Sequence, residues 1–165
     1  MQTIMIHAQP FPGTRLDEVL QSHSISVNDY ARQFFAHPTF VPDDYPPAVC
    51  AVLLSLRELG LADGATLGEI YARLPAFGLK PCLPTTGLFL RLAWREQPES
   101  ENLVLSGTHR SPEGAVTVFS KPLEDDDRFP KGLYLRKVGG VLWLRGYICD
   151  ESYRWSADDV FAFEQ

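Results

Sequence analysis

Leu133-Tyr134-Leu135-Arg136-Lys137-Val138-Gly139-Gly140-Val141-Leu142-Trp143-Leu144-Arg145-Gly146-Tyr147 decides how this chain is read. Two alternating runs meet at a Gly-Gly pair. A two-residue glycine loop suits the positive-φ turns that join antiparallel strands, so the stretch reads as a β-hairpin. The turn sets the register: Val138 opposes Val141, Arg136 opposes Trp143, Leu135 opposes Leu144, and Tyr134 opposes Arg145. Leu133, Leu135, Leu142 and Leu144 then share one face, with Lys137 at its turn end, while Tyr134, Arg136, Trp143 and Arg145 share the other. The leucine face is the buried one, because a one-residue slip would turn all of it to solvent. The aromatic and arginine face is left for solvent, for another layer of the chain, or for a partner.

Working back from the hairpin, Leu88, Leu90, Leu92 and Trp94 alternate with Phe89, Arg91, Ala93 and Arg95, which reads as a strand. Leu103-Val104-Leu105, Val116-Thr117-Val118-Phe119 and Val160 to Phe163 add further short strands, for about six in all. Upstream of Pro84 the period is 3.6, after a short alternating start at Ile4 and Ile6 that Pro10-Phe11-Pro12-Gly13 ends. Thr14 caps an expected helix from Arg15 to Ser22, and Ser26 caps a second from Val27 to Ala36, which His37-Pro38 ends. Residues 38–47 hold four prolines and form an extended connector. Pro47 opens an expected third helix, Ala48 to Leu59, apolar nearly all round, with a Gly60-Leu61 stop. Thr66-Leu67-Gly68-Glu69 is a capping box opening a fourth helix with Ile70, Tyr71 and Leu74. Helices followed by strands predict an α+β fold. An N-terminal helical layer (14–78) packs on a mostly antiparallel sheet of about six strands (87–164). The chain reads as a single domain, 1–165, with residues 1–37 as an N-terminal helical arm and 48–165 as the core.

The 165 residues suffice to bury about two thirds of the unfolded surface, so no metal or disulfide is needed for folding. The formal net charge of −6 disfavours a nucleic-acid partner, since phosphate neutralisation needs a basic surface. The charge is uneven, however. After the acidic run Glu124-Asp125-Asp126-Asp127, residues 128–154 carry Arg128, Lys131, Arg136, Lys137, Arg145 and Arg154 against Asp150 and Glu151 alone. Three widely spaced cysteines, Cys50, Cys82 and Cys149, make no disulfide framework and point to a reducing compartment. The start Met1 to Ile6 lacks the pattern of a secretory signal. The expected location is cytoplasmic, with no membrane partner.

Glu58-Leu59-Gly60, Gly64-Ala65-Thr66, Gly78-Leu79-Lys80-Pro81-Cys82, Gly87 to Leu92, Gly132 to Leu135, Leu142-Trp143-Leu144 and Tyr153-Arg154-Trp155 with Phe161 and Phe163 make up a set of short motifs. Over residues 58–165 this set resembles a family of uncharacterised bacterial proteins. The resemblance implies a bacterial source and, as the family has no known activity, carries over no site residue; the N-terminal third departs from it.

The aromatic and arginine face is the leading candidate surface. Arg136 beside Trp143 and Tyr134 beside Arg145 read as cross-strand cation–π pairs, worth about 0.5–1 kcal/mol each when exposed. Trp, Tyr and Arg are the residues that dominate binding hot spots. Tyr147, Arg154 and Trp155, together with Tyr153, extend the face if the tail folds back. The expectation is a non-enzymatic, antitoxin-like, immunity-like or accessory protein that binds another protein through Tyr134, Arg136, Trp143, Arg145, Tyr147, Arg154 and Trp155. Two alternatives stay open. The helices at 48–59 and 66–74 followed by hairpins suit a winged-helix-like DNA-binding regulator. Cys82 with His109 is the one nucleophile–base pair that suits a cysteine hydrolase. The histidines His7, His23, His37 and His109 have no zinc-ligand spacing, so no metal or cofactor is expected. The loop Ser106 to Ser111 has the amides and hydroxyls for a phosphate, and the run Glu124 to Asp127 the carboxylates for a cation, but plain loops explain both.

Overall fold

The hairpin forms where the diglycine places it. In the computed structural model, which describes residues 1–9, 15–101 and 111–165, two of its strands are Gly132–Val138 and Val141–Tyr147. Gly139 and Gly140 turn with φ of 58° and 77°. The register is the expected one, Arg136 opposite Trp143 and Tyr134 opposite Arg145. Around it, seven strands build one sheet: β1 (Gln2–His7), β2 (Ile25–Val27), β3 (Ala48–Ser55), β4 (Val116–Val118), β5 and β6 (the hairpin) and β7 (Val160–Glu164). Their order is β1-β3-β7-β4-β5-β6-β2. The helices are α1 (Leu16–Ser22), α2 (Asp29–Phe35), α3 (Leu67–Arg73) and α4 (Thr86–Ala93).

The chain is α+β as expected, but the sheet is mixed and has seven strands, where a mostly antiparallel sheet of about six was expected. The β7–β4 and β6–β2 pairings are parallel, and helices and strands interleave along the chain. Two segments exchange type. Residues 48–55, expected as a buried helix, are β3, flanked by β1 and β7. A short apolar run fits either a buried helix or a strand covered on both faces, and here both faces are covered. Val49, Ala51 and Leu53 enter one core, while Val52 and Leu54 enter the other. The Gly60-Leu61 stop is present all the same. Gly60 has φ of 82° and Leu61 N–H reaches Leu56 O at 2.8 Å, which closes a turn after a strand rather than a helix.

Conversely, residues 86–93, expected as a strand, are α4. Every side chain from Thr86 to Leu92 is buried. A helix buried on all sides, with even its one charge, Arg91, turned inward, has no solvent-facing stripe to mark it, so its accidental alternation misleads. Leu, Phe, Arg and Ala without a β-branched run favour the helix. Ser26, read as a helix cap, lies in β2, and Asn28 caps α2 instead. The capping box at Thr66 and Glu69 forms as predicted, with reciprocal bonds of 3.3 and 2.8 Å. Thr14 and Leu103 to Leu105 lie outside the described residues.

The sheet separates two cores. On one side α1, α2 and α4 cover Ile6, Ala51, Leu135, Leu144 and Ala162. On the other, Ile70 of α3, Leu74 and Trp155 cover Val52, Leu54, Phe161 and Phe163. β1 and β2 are the two edges, so the first 27 residues frame the sheet from both ends. The proline-rich connector joins in as well: Tyr45 is buried and stacks on Phe89 with ring centroids 4.2 Å apart. Among the described residues no helix is long and apolar enough to cross a membrane.

Candidate functional site

Alternation along β5 and β6 sends Tyr134, Arg136, Trp143, Arg145 and Tyr147 to the face opposite the leucines. The chain beyond β6 returns over the end of this face. Ala65 and Trp155 exchange backbone bonds of 3.1 and 2.8 Å, which pins the returning segment. Arg154 holds it from outside, donating to Glu69 Oε2 at 2.9 Å and to Gly64 O at 3.0 Å. The indole of Trp155 then meets Tyr147 edge-on at 5.4 Å, Tyr153 at 5.0 Å and Phe161 at 5.1 Å. Such edge-to-face contacts are favoured by the ring quadrupoles.

The first turn of α2, which packs on the sheet from the leucine side, reaches the rim beside Gly146 with Asn28 and Tyr30. The result is a cavity of about 560 Å³ lined by Tyr30, Tyr134, Arg145, Tyr147, Tyr153 and Trp155 among others. That volume lies within the range of small-ligand pockets, about 300–1,000 Å³. Asn28 positions this rim: its Oδ1 accepts from Ala31 N–H at 3.0 Å as the helix cap and from Gly146 N–H of β6 at 2.8 Å. Gly146 is needed there because a Cβ would sit 2.6 Å from the Tyr30 carbonyl carbon.

The charges in the cavity are unevenly engaged. Asp127 pairs with the buried Lys131 at 3.1 Å. Asp150 Oδ1 accepts from Ser152 N–H and Oγ at 2.8 and 2.6 Å, and these bonds hold its carboxyl below the usual range. Arg145 donates from Nε to Tyr134 Oη at 2.8 Å and lies over the Trp143 ring at 5.0 Å. Its two terminal nitrogens have no hydrogen-bond or ion-pair partner among the described residues. Burial pushes the Tyr147 phenol up, and pushes the Cys149 thiol on the cavity wall up to about 11 against the pull of Lys131.

The seven residues expected on the face thus separate by depth. Arg136 is fully buried and Tyr134 and Trp155 nearly so. Trp143, Arg145 and Tyr147 are half-buried, and Arg154 is exposed. The two cross-strand pairs are in register, but Arg145 meets Tyr134 by a hydrogen bond and takes its cation–π contact from Trp143 on its own strand. Arg136 is a structural clamp, its Nε shared between Ser100 Oγ at 3.1 Å and Glu113 O at 2.8 Å. A second buried guanidinium, Arg91 of α4, donates to Gln97 Oε1 and Trp94 O, while Gln97 passes on to Gly114 O and Leu135 O at 3.1 and 3.2 Å. Burial pushes Arg91 down to about 10. Sequence reasoning missed Asn28, Tyr30 and Cys149 as wall residues. The Asn28-Asp29 pair carried a cap signal, but nothing local connects it to a strand 118 positions away.

Cys82 is buried, and its Sγ donates to Ala162 O at 3.3 Å. Burial pushes this thiol far up, the reverse of what an activated nucleophile needs. It lines neither this cavity nor a second one of about 550 Å³ beside Trp94, Gln97 and Asp159. His109, and all of the suggested phosphate loop except Ser111, lie outside the described residues. The helix pair behind the winged-helix expectation is not formed, because its first member is β3. In the acidic run, Glu124 bonds His37 at 3.0 Å, Asp126 bonds Arg128 at 3.0 Å, and Asp127 bonds Lys131. Among the described residues no group of His, Cys, Asp or Glu is arranged to hold a metal.

Compared with family models, characterised proteins and solved structures, the chain matches none.

Proposed function

We propose that the protein is a non-catalytic binding module that receives a protein partner at the cavity on the aromatic face of the hairpin. The observation that carries this reading is a half-open pocket of about 560 Å³ lined by four tyrosines, Trp155 and Arg145. Aromatic side chains give large contact areas at low entropic cost, and Tyr, Trp and Arg supply most hot-spot energy. The walls are preorganised by the Asn28 bridge, the Ala65–Trp155 pairing and the Arg154–Glu69 tie, which lowers the ordering cost of association. Trp143 and Arg145 form the part of the face that is half open to solvent. They are where a partner first makes contact.

A photo-crosslinking residue at position 143 tests this reading in the protein's own cell. A discrete partner is expected to be trapped there, and not from position 71 on the exposed side of α3. Replacing Arg145 by Ala should reduce the yield. The same trapped species from both positions would sink the reading.

A further inference from the structure

We infer that the cavity recognises an acidic residue with an aromatic neighbour on the partner chain, and that Arg145 is the group that binds the carboxylate. This rests on the binding reading above and specifies its chemistry. The guanidinium of Arg145 is fixed on two sides, by the Tyr134 hydroxyl at Nε and by the Trp143 ring beneath it. A guanidinium so held keeps its planar outer edge pointed away from both supports, with paired N–H groups at the spacing of a carboxylate.

No protein group uses that edge among the described residues, since neither terminal nitrogen of Arg145 has a partner. Asp127 is paired with Lys131, and Asp150 stays ionised while accepting from Ser152 N–H and Oγ. Arg145 is the one cation among the described lining residues and has no counter-ion among them, so a carboxylate is the group that its paired N–H edge complements. The remaining walls are rings: Tyr30, Tyr147, Tyr153 and Trp155 line the same space. A carboxylate alone would leave that apolar surface uncovered, whereas an acidic residue beside an aromatic one fills both parts of the site. The cavity volume of about 560 Å³ accommodates a segment of this size.

Two capped dipeptides separate the terms: acetyl-Trp-Glu-amide, and acetyl-Trp-Gln-amide, which keeps the shape and loses the charge. The readout is amide NMR of the intact protein, following the Gly146 N–H and the Trp155 indole. The acidic peptide is expected to shift both signals to saturation and to bind about tenfold or more tightly than the neutral one. Arg145→Gln should bring the two peptides level, and Arg145→Lys should restore part of the difference. Unchanged urea midpoints for both variants would show that the fold is intact. Equal binding of the two peptides at the cavity overturns acidic recognition and leaves the binding reading standing. Absence of any saturable shift up to about 1 mM also overturns it. The crosslinking experiment decides the binding reading independently.

Discussion

Asn28 and Gly146 are joined by two hydrogen bonds across 118 positions of chain: Gly146 N–H donates to Asn28 Oδ1 at 2.8 Å, and Asn28 Nδ2 donates to Gly146 O at 3.0 Å. The side-chain amide takes the place of a peptide unit and extends the parallel β2–β6 pairing by one step beyond Val27 and Leu144. The same oxygen caps α2 through Ala31 N–H. One residue thereby fixes the last turn of the sheet edge, the start of a helix and part of the cavity rim.

Asn28→Ala removes the cap, worth about 1 kcal/mol, and two part-buried strand-like bonds at about 1 kcal/mol each. The expected loss of stability is about 2–3 kcal/mol, read from the urea midpoint at constant slope. Asn28→Ser keeps an acceptor for the cap but is too short to bridge to Gly146, so it should recover only the cap's share of about 1 kcal/mol. A serine variant as stable as the native protein would show that the bridge to β6 is not what the side chain contributes.

Gly146→Ala tests the close approach of α2. The added methyl would meet the Tyr30 carbonyl carbon at 2.6 Å and the Ala31 nitrogen at 2.7 Å, both backbone atoms that cannot rotate away. Overpacking of this kind costs about 1–3 kcal/mol. The same change at Gly139, where nothing lies within 4 Å but φ is 58°, costs only the left-handed strain of about 1 kcal/mol. Thermal unfolding of the two variants should rank Gly146→Ala below Gly139→Ala.

The cysteines should separate by burial. In native protein at pH 8, iodoacetamide is expected to reach the half-buried Cys50 and Cys149, and to reach Cys82 only in denaturant. With its thiol pushed up to about 11, Cys149 should label faster with every step from pH 8 to pH 10. An ordinary thiol would begin to level near about 8.5. Mass mapping of the labelled peptides checks both points, and rapid labelling of native Cys82 would revive it as a nucleophile.

Acid should loosen the tie between α3 and the returning segment. The Thr66 backbone bond, reinforced by Arg154, holds the Glu69 carboxyl below its ordinary value of 4.5. A carboxyl lowered in the folded state contributes stability that is present above the unfolded value and is lost as pH falls through the folded one. The stability gap between the native protein and Glu69→Gln is therefore expected to be largest near pH 6–7 and to shrink as the pH drops below about 4.5. A gap that stays constant over that range would remove the ionised carboxylate from the account.

Much of the local structure is legible residue by residue. The diglycine corner and its register, the Thr66–Glu69 box, the Gly60 turn and the span of α1 each depend on neighbours within a few positions. Ala48 to Ser55 and Thr86 to Ala93 are different. Both are mostly apolar segments of eight residues whose central residues are covered on both faces of the strand or all round the helix. Burial on all sides erases the amphipathic stripe that distinguishes period 2 from period 3.6. With those two misread, the winged-helix expectation arose and the mixed, seven-stranded topology stayed hidden.

The candidate site divides in the same way. Alternation alone put Tyr134, Trp143 and Arg145 on one face, because strand geometry leaves no other choice. Which of them stay accessible was settled by segments far off in the chain. Ser100 and the Glu113 carbonyl bury Arg136, Ala65 pins Trp155, and Asn28 brings up the rim bearing Tyr30. By itself the sequence determined the hairpin, its register and the chemistry of its two faces, since these follow from turn geometry and side-chain alternation. Only the tertiary structure decided that the aromatic face becomes a half-open pocket rather than a flat surface, because the contacts that shape it join residues whose proximity no local pattern encodes.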